Sequence, residues 1–351
     1  MGMAMTPQQT AEHWRLYPVD AFEQMAPAWG ALNAAGPATP LLDPAFIGCL
    51  IDHFATGVDR LAVLGDLNAP SAMILIKPVS RFSWQSFQPP QAPLGPSVAR
   101  PDLDLETTLT GLFKSLPGTC CIVALTQQDP DLVPRPASTT RLQTVDYIET
   151  PRITPPPTFS EFWAARGKNL RRDLKRQRNR LARDGIAARL EIIEDATRMA
   201  EAIADYGHLE SAGWKGAEGN AIHADNAQGR FYTALLESFA GAGRAMVFQY
   251  RFDGSLVASD LCIHDDTTLI ILKTTYDPSL RQWSPAQLMR QEAFEWLIEG
   301  RRFERIEFYG RVMDWHRKWT DETRTLYHVN CYRWPLLARL HGRRTGPGET
   351  A

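Results

Sequence analysis

The chain has 351 residues, 44% of them hydrophobic and 22% charged, and a formal net charge of −2 at pH 7. This is the composition of an ordinary soluble globular protein, and the near-balanced charge gives no argument for nucleic acid or membrane binding. No apolar run approaches the ~20 residues needed to span a bilayer, and the length is sufficient for two domains.

The N-terminal segment and the cysteines predict a reduced, cytoplasmic setting. Residues 1–14 lack the basic and apolar regions of a secretory signal. The five cysteines are odd in number, lie mostly in apolar runs and show no C-x-x-C spacing, so we expect reduced core residues and no metal site. They are Cys49, Cys120, Cys121, Cys262 and Cys331.

The first 150 residues predict helices followed by strands, without a recognisable phosphate loop. Helical spacing of apolar residues predicts helices at 20–34 and Pro44–Thr56. Runs of strand-forming residues predict strands at Arg60–Leu64, Ala72–Val79 and Cys120–Leu125. The proline-rich stretch 88–101 predicts a loop, because proline has no N–H to donate to a strand ladder.

The prolines at 155–157 mark a predicted boundary between two domains. We place the domains at 1–155 and 156–345 and expect a disordered tail at 346–351. Thr158 and Glu161 form a T-x-x-E capping box, which predicts that a new helix starts directly after the prolines.

The next helix is strongly basic. Residues 166–183 contain nine basic side chains and one acid, Asp173, so they carry a net charge of +8, while the remainder of the chain carries −10. Leu170, Leu174 and Leu181 share one side, which predicts a thin apolar stripe for docking. The cations form either a solvated face or a surface for an anionic partner, namely coenzyme phosphates, acidic glycan, lipid headgroups or RNA.

Residues 255–310 predict a strand, a turn, a second strand, a loop, a capped helix and a further strand, 305–309. The two strands are Ser255–His264 and Thr268–Tyr276. Ser284 at the N-cap, Pro285 at the first helical position and Gln287 in an S-x-x-Q capping box mark the helix start. Gly300 marks the helix end. The free N–H groups at such a start are suited to phosphate.

The loop before this helix, RQWSPA at 281–286, has the pattern basic-x-x-small-x-small. It resembles the Q/R-x-x-G-x-G/A pyrophosphate loop of the GNAT acyltransferase superfamily, which binds coenzyme A between a strand and a helix. Ser284 and Ala286 stand where that family usually has glycine. The alanine is expected to restrict slightly the approach of the backbone to a pyrophosphate.

Further motifs resemble the CelD-type subgroup of GNAT proteins and the related FemAB transferases. The resemblance covers roughly 158–332 and is carried by four short elements. They are Trp214-Lys215-Gly216, Lys273 with Tyr276-Asp277, Ser284-Pro285-Ala286 and Lys318-Trp319.

The resemblance implies an α+β fold with a GNAT-like mixed sheet flanked by helices, in two lobes of which the N-terminal one is degenerate. It implies transfer of an acyl group from a coenzyme A thioester, without a metal, to an amine of a small molecule or of a cell-envelope or polysaccharide precursor. Two alternatives stay open: a FemAB-like transferase that uses aminoacyl-tRNA, and an inactive binding protein that docks through its basic helix.

The resemblance also implies roles for individual side chains. Those expected to bind the coenzyme are Lys273, Arg281, Gln282, Trp283, Ser284, Ala286 and Gln287. Those expected in catalysis are Glu210 as the base, Lys318 as the electrostatic stabiliser and Tyr276 as the proton donor to the thiolate. Asp260 and Asp277 are alternatives for the base. Those expected at the acceptor substrate are Trp214, Lys215 and Asp260.

Three polar residues within or beside the strands leave alternatives open. Asp260 lies mid-strand, where it is either paired with a raised pKa or directed to solvent. Lys273 in its apolar strand either meets an anion or alternates outward. Asp277 precedes a proline and is expected to form an Asx turn.

Overall fold

The computed structural model describes residues 12–211, 222–223 and 226–342. The strands in this part of the chain are β1 Trp14–Pro18, β2 Arg60–Gly65, β3 Pro70–Ser80, β4 Ser83–Ser86, β5 Ser97–Ala99, β6 Ile122–Gln128, β7 Leu142–Ile153, β8 Ala188–Ile193, β9 Ala245–Phe252, β10 Ser255–His264, β11 Thr268–Tyr276, β12 Arg305–Glu307 and β13 Thr323–Tyr332. The α-helices are α1 Phe22–Ala35, α2 Pro44–Phe54, α3 Leu105–Leu112, α4 Phe159–Ala164, α5 Lys168–Arg183, α6 Met199–Ser211, α7 Ala227–Gly241, α8 Pro285–Glu299 and α9 Pro335–Gly342.

The chain divides into two compact units, one within 1–147 and 326–351 and the other within 148–325. In the first unit the strands pair in the order β1-β2-β3-β4-β6-β13, and β5 also pairs with β3. The ladders are antiparallel apart from the parallel pair of β4 and β6. Trp14, Leu109 and Tyr327 belong to the core cluster of this unit.

The second unit has a mixed sheet in the order β7-β12-β11-β10-β9-β8. Strands β11 and β12 run parallel, whereas the other neighbours are antiparallel. A parallel pair requires a crossover connection, and α8 supplies it between β11 and β12. The loop that leads from β11 into α8 therefore lies at the end of a central strand.

Helices cover both faces of this sheet. Lys273 of β11 contacts Glu210 of α6, whereas its neighbour Thr274 contacts Arg290 of α8. Since successive strand residues point to opposite faces, α6 and α8 lie on opposite sides. Helix α8 is anchored by buried apolar residues such as Phe294, which is 1% exposed and contributes about 1.5–3 kcal/mol by its burial. The predicted α+β class, with a mixed sheet flanked by helices, is confirmed.

Most of the predicted helices and strands are present with small changes in their bounds. The predicted loop 88–101 is wrong at its end, because Ser97–Ala99 form β5 against Ala72–Ile74 of β3. The short strand β4 pairs with β3 only beyond Ile74. The first part of the same edge of β3 is therefore available to β5. The predicted strand 305–309 ends at Glu307, and Tyr309 has a φ of 49°, which is incompatible with extended backbone.

Among the described residues, no helix combines the length and the apolar character that a membrane crossing requires. The predicted tail 346–351 and the predicted substrate residues Trp214 and Lys215 lie outside the described residues.

Candidate functional site

The turn into α8 has an unusual backbone. Asp277 accepts a hydrogen bond from the Ser279 N–H at 2.8 Å, which confirms the predicted Asx turn, and a 3₁₀ turn follows over Pro278–Trp283. Ser284 then adopts the left-handed conformation, with φ 54° and ψ 49°. A left-handed residue other than glycine is strained by about 1–2 kcal/mol, so the loop is held in this shape by its surroundings.

The capping box predicted for this helix is wrong, although its N-cap position and the proline at N1 are right. The Ser284 side chain makes no capping hydrogen bond among the described residues, because side-chain capping needs an N-cap in the extended region. The Gln287 Oε1 instead accepts a hydrogen bond from the indole Nε1 of the fully buried Trp319 at 2.6 Å. Gln287 thus ties the start of α8 to the core.

The predicted coenzyme loop is cationic on its outer side. Arg281 and Gln282 are exposed, and within the described residues Arg281 has no carboxylate partner within 4 Å. Trp283 is buried, and the guanidinium of Arg180 from α5 lies 3.8 Å from the centre of its ring. Ala286 is also buried, at 8% exposure. The exposed cation and the positive dipole end of α8 together form a site suited to an anion.

Strand β11, which leads into this loop, has irregular pairing on both edges. The register with β10 shifts at Leu261/Cys262, so that Leu272 has no partner in that ladder. On the other edge, the ladder with β12 covers only Thr268–Ile270, so from Ile271 onward this edge is open among the described strands. An open edge can accept an extended ligand by main-chain hydrogen bonds, and a bulge reorients backbone donors locally.

Glu210 and Lys273 form an ion pair beneath the sheet. The Lys273 Nζ lies 3.3 Å from Glu210 Oε1, with the two side chains 17% and 1% exposed. The Ile222 N–H donates to Glu210 Oε2 at 2.8 Å, and the Lys273 ammonium lies 5.5 Å from the centre of the Tyr232 ring. The predicted anionic partner of Lys273 is confirmed. Helix α6 continues to Ser211 and buries Glu210, so the expected base lies within a helix.

Asp260 and Arg290 form a second buried pair, on the opposite face of the sheet. Their charged groups lie 3.5 Å apart, and the Arg290 guanidinium also donates to Thr274 and lies 4.0 Å from the centre of the Trp315 ring. Burial raises the pKa of Asp260, and the charge of Arg290 opposes that rise. The paired interpretation of Asp260 is confirmed and the solvent-facing one is wrong, while its role toward substrate stays a prediction.

The late basic segment forms a 3₁₀ turn at His316–Lys318. His316 is buried, and its Nδ1 accepts a hydrogen bond from the Met313 N–H at 3.0 Å. Burial and the nearby Arg290 lower its pKa to about 3, so the ring is neutral at pH 7. Lys318 is exposed and has no ion-pair partner within the described residues. Tyr276, 43% exposed, ends β11.

The structure brings some of the predicted side chains together and leaves others apart. Glu210 meets Lys273, and the loop residues 281–287 form one turn, whereas Lys318 and Tyr276 occupy exposed positions with no side-chain contact to that ion pair among the described residues. Arg290 was not predicted. The signal for it is a cation in the apolar stripe of α8, since it lies four residues after Ala286 and three before Ala293.

Comparisons with known proteins agree with this geometry. Residues 168–328 match the family described as "Acetyltransferase (GNAT) domain". No curated protein matches the chain significantly.

Several solved structures share the fold at low sequence identity. The crystal structure of FemX superposes with a TM-score of 0.53 at 9% identity, over 90% of this chain and 98% of that one. A second similar structure is the C-terminal domain (DUF2156) of a protein assigned as a lysylphosphatidylglycerol synthetase from Agrobacterium fabrum. It superposes with a TM-score of 0.52 at 12% identity, over 92% of this chain and 96% of that one. L-PGS from Bacillus licheniformis superposes with a TM-score of 0.50 at 12% identity, over 93% of this chain and 97% of that one.

At these identities the structural likeness establishes the fold, and the matched segment contains α5, β11, the loop 281–286 and α8. The segment 168–328 is therefore similar to a GNAT acetyltransferase domain, and the chain shares its fold with FemX.

Proposed function

We propose that this protein is an N-acyltransferase that takes its acyl group from a coenzyme A thioester and transfers it to an amine. The proposal rests on three structural features that follow one another along the chain: β11, the turn 281–286 and the start of α8. A strand with a bulge and an open edge runs into a cationic turn, and α8 starts at that turn with its positive dipole end.

Each feature corresponds to a part of the coenzyme. The pyrophosphate would lie at the positive dipole end of α8 with Arg281 beside it, since phosphate contacts to a cation are charge-assisted hydrogen bonds. The amide-containing arm would add along the open edge of β11 beyond Ile270. The residues present suit this ligand because Ser284 already holds the left-handed backbone for which glycine is usually chosen.

The transfer itself requires few groups. The amine attacks the thioester carbonyl carbon, a tetrahedral oxyanion forms, and the carbon–sulfur bond breaks to release the thiolate. A backbone N–H near the bulge of β11 would stabilise the oxyanion. We assign Glu210 to the proton of the amine, Tyr276 to the thiolate and Lys318 to electrostatic stabilisation, and all three assignments remain proposals.

A second candidate is transfer from aminoacyl-tRNA. The buried Ala286 favours it, because a methyl group stands there where the GNAT pyrophosphate loop usually has glycine. The likeness to FemX concerns the fold alone. The acceptor, whether a small molecule or an envelope or polysaccharide precursor, and the role of residues 1–155 as a degenerate GNAT lobe remain part of the proposal.

Calorimetric titration with acetyl-coenzyme A, a longer acyl-coenzyme A and free coenzyme A tests the donor. Replacing Arg281→Glu should weaken binding by more than about 1 kcal/mol, since a charge-assisted contact is lost. Arg189→Glu, an exposed substitution on β8 with the same change of charge, is the matched control and should leave affinity unchanged. Absence of binding by the parent, or equal affinity in the parent and Arg281→Glu, would contradict the coenzyme site.

A further inference from the structure

A surface groove of about 660 Å³ runs along α5 in the second unit. Its lining includes five cations and no carboxylate. The lining residues are Trp163, Lys168, Arg171, Arg172, Lys175, Arg178, Asn179 and Gln291. Residues 281–286 are not among them, so the predicted coenzyme loop does not line the groove.

The cations at the rim are available to a ligand. Lys168, Arg171 and Lys175 are exposed, and within the described part of the chain none has a carboxylate within 4 Å. Because an α-helix rises about 1.5 Å per residue, Lys168 and Lys175 are separated by roughly 10 Å along the helix axis. Positive charge thus extends along the groove over a length that one small anion does not fill.

The cation at the base of the groove is fixed. The Arg178 guanidinium donates to Glu292 Oε1 at 2.7 Å and to Gln291 Oε1 at 3.1 Å, and the Tyr250 hydroxyl donates to the same Glu292 oxygen at 2.7 Å. The side chain of Arg178 remains 37% exposed. Three of its five N–H groups are thus engaged, and the partly exposed guanidinium is held in one position in the lining.

The uncharged lining residues add further donors. The Gln291 oxygen is engaged by Arg178, which leaves its amide nitrogen as the group available to a ligand. The Trp163 indole N–H is without an acceptor among the described residues, and Phe159 stacks on its ring with centroids 5.8 Å apart. The groove thus offers many N–H donors, as recognition of an anion with several oxygens requires.

The packing of α5 argues against a lipid surface as the partner. Leu170, Leu174 and Leu181 are buried in the core, at 8%, 1% and 3% exposure, so the helix has no apolar face free for insertion into a bilayer. The cations line a concavity, which suits a narrow ligand better than a flat membrane. A narrow ligand that enters the groove meets the rim and the base together.

We propose that this groove binds a ligand with two or more phosphate groups in a row, such as a nucleoside di- or triphosphate or a phosphodiester strand. Linked phosphates match both the length of the charged lining and the combination of lysine point charges with arginine forks, which favour phosphate geometry. The site lies outside the loop 281–286 and does not depend on the proposed acyl transfer.

The test uses calorimetry on the full chain with tripolyphosphate as the probe, at low and high salt, beside inorganic phosphate. Tripolyphosphate should bind at least tenfold more tightly than phosphate, and its affinity should fall with salt. The groove variant Arg171→Glu/Lys175→Glu should bind tripolyphosphate at least tenfold more weakly than the parent. The control Arg176→Glu/Arg183→Glu changes charge equally on the same helix, at residues outside the lining, and should stay within about threefold.

Several results would overturn the proposal, and circular dichroism must first show that both variants are folded. These results are no binding of tripolyphosphate at low salt, an equal loss in the groove variant and the control, and a loss in Arg281→Glu with the groove variant unaffected. Tighter binding of acidic vesicles or of a sulfated glycan than of any phosphate ligand would also overturn it. Titrations with ADP and with a short single-stranded RNA distinguish a free nucleotide from a strand.

Discussion

The carboxylate of Asp260 lies 3.5 Å from the guanidinium of Arg290, with the two side chains only 3% and 4% exposed. One residue comes from the middle of β10 and the other from the second turn of α8. The pair therefore fixes the helix that starts at the predicted coenzyme loop against the sheet that carries it. Loss of either partner leaves a charge buried without its counterion.

The first prediction is a double-mutant cycle on this pair. Arg290→Met should destabilise the fold by about 3–5 kcal/mol, because Asp260 then stays buried and unpaired. Asp260→Leu/Arg290→Met should cost less than Arg290→Met alone, since both charges are gone. Urea denaturation followed by tryptophan fluorescence measures these values and that of Asp260→Leu alone. Strictly additive losses would show that the two charges do not interact.

The second prediction concerns Gln287 and the indole of Trp319. Gln287→Leu removes the acceptor of a buried N–H, so it should lower the free energy of unfolding by about 1–3 kcal/mol. Gln287→Glu retains an acceptor at the same place, so its free energy of unfolding should fall by less. If Gln287 only contacts coenzyme, both variants will show the parent's stability and altered coenzyme affinity.

The third prediction follows from His316, whose pKa is lowered to about 3 in the fold against an ordinary value of 6.5. Below pH 6.5 the unfolded chain binds a proton that the folded chain does not, so stability falls as the pH is lowered. The expected slope approaches about 1.4 kcal/mol per pH unit until the folded pKa is reached.

The matched variant for this slope is His316→Gln, which retains an acceptor for the Met313 N–H. His264 and His328 also have pKa values lowered by burial. The variant should therefore remove the contribution of one proton to the slope and leave the remainder. Unfolding free energies at pH 7.5 and pH 5 measure the effect. An unchanged slope would show that His316 is protonated alike in both states.

The fourth prediction tests Glu210 as the base. Glu210→Gln should shift or flatten the acidic limb of the pH–rate profile, because a base must be deprotonated to accept the amine's proton. It should also lower stability, since an amide replaces a buried carboxylate that faces the Lys273 ammonium. A stability loss with an unchanged pH–rate profile would assign Glu210 to structure alone.

The fifth prediction tests Lys318. If its charge acts mainly in the transition state, Lys318→Ala should lower kcat by ~100-fold or more with a modest change in KM. The exposed side chain predicts an unchanged free energy of unfolding. Arg317→Ala, which removes the neighbouring cation paired with Glu149 at 3.0 Å, is the control and should retain the parent's kcat.

Patterns local in sequence predicted most of the second unit. The strand Ser255–His264 and the helix from Pro285 follow from alternation, caps and stop signals within about 15 residues, and the structure contains both. The partners of buried polar groups were not predictable in this way. Gln287 meets Trp319 and Asp260 meets Arg290 across 32 and 30 positions respectively, and such contacts depend on tertiary packing.

The left-handed backbone at Ser284 determines which residue types this position tolerates and how well a sequence motif can describe it. Glycine would remove the strain but would leave the unfolded chain with greater conformational entropy, and the two effects oppose each other at about 1 kcal/mol each. Serine and glycine are therefore nearly equivalent here, whereas a β-branched residue would be strongly disfavoured. What the loop requires at this position is a pair of backbone angles, and a motif written in residue letters describes that requirement only indirectly.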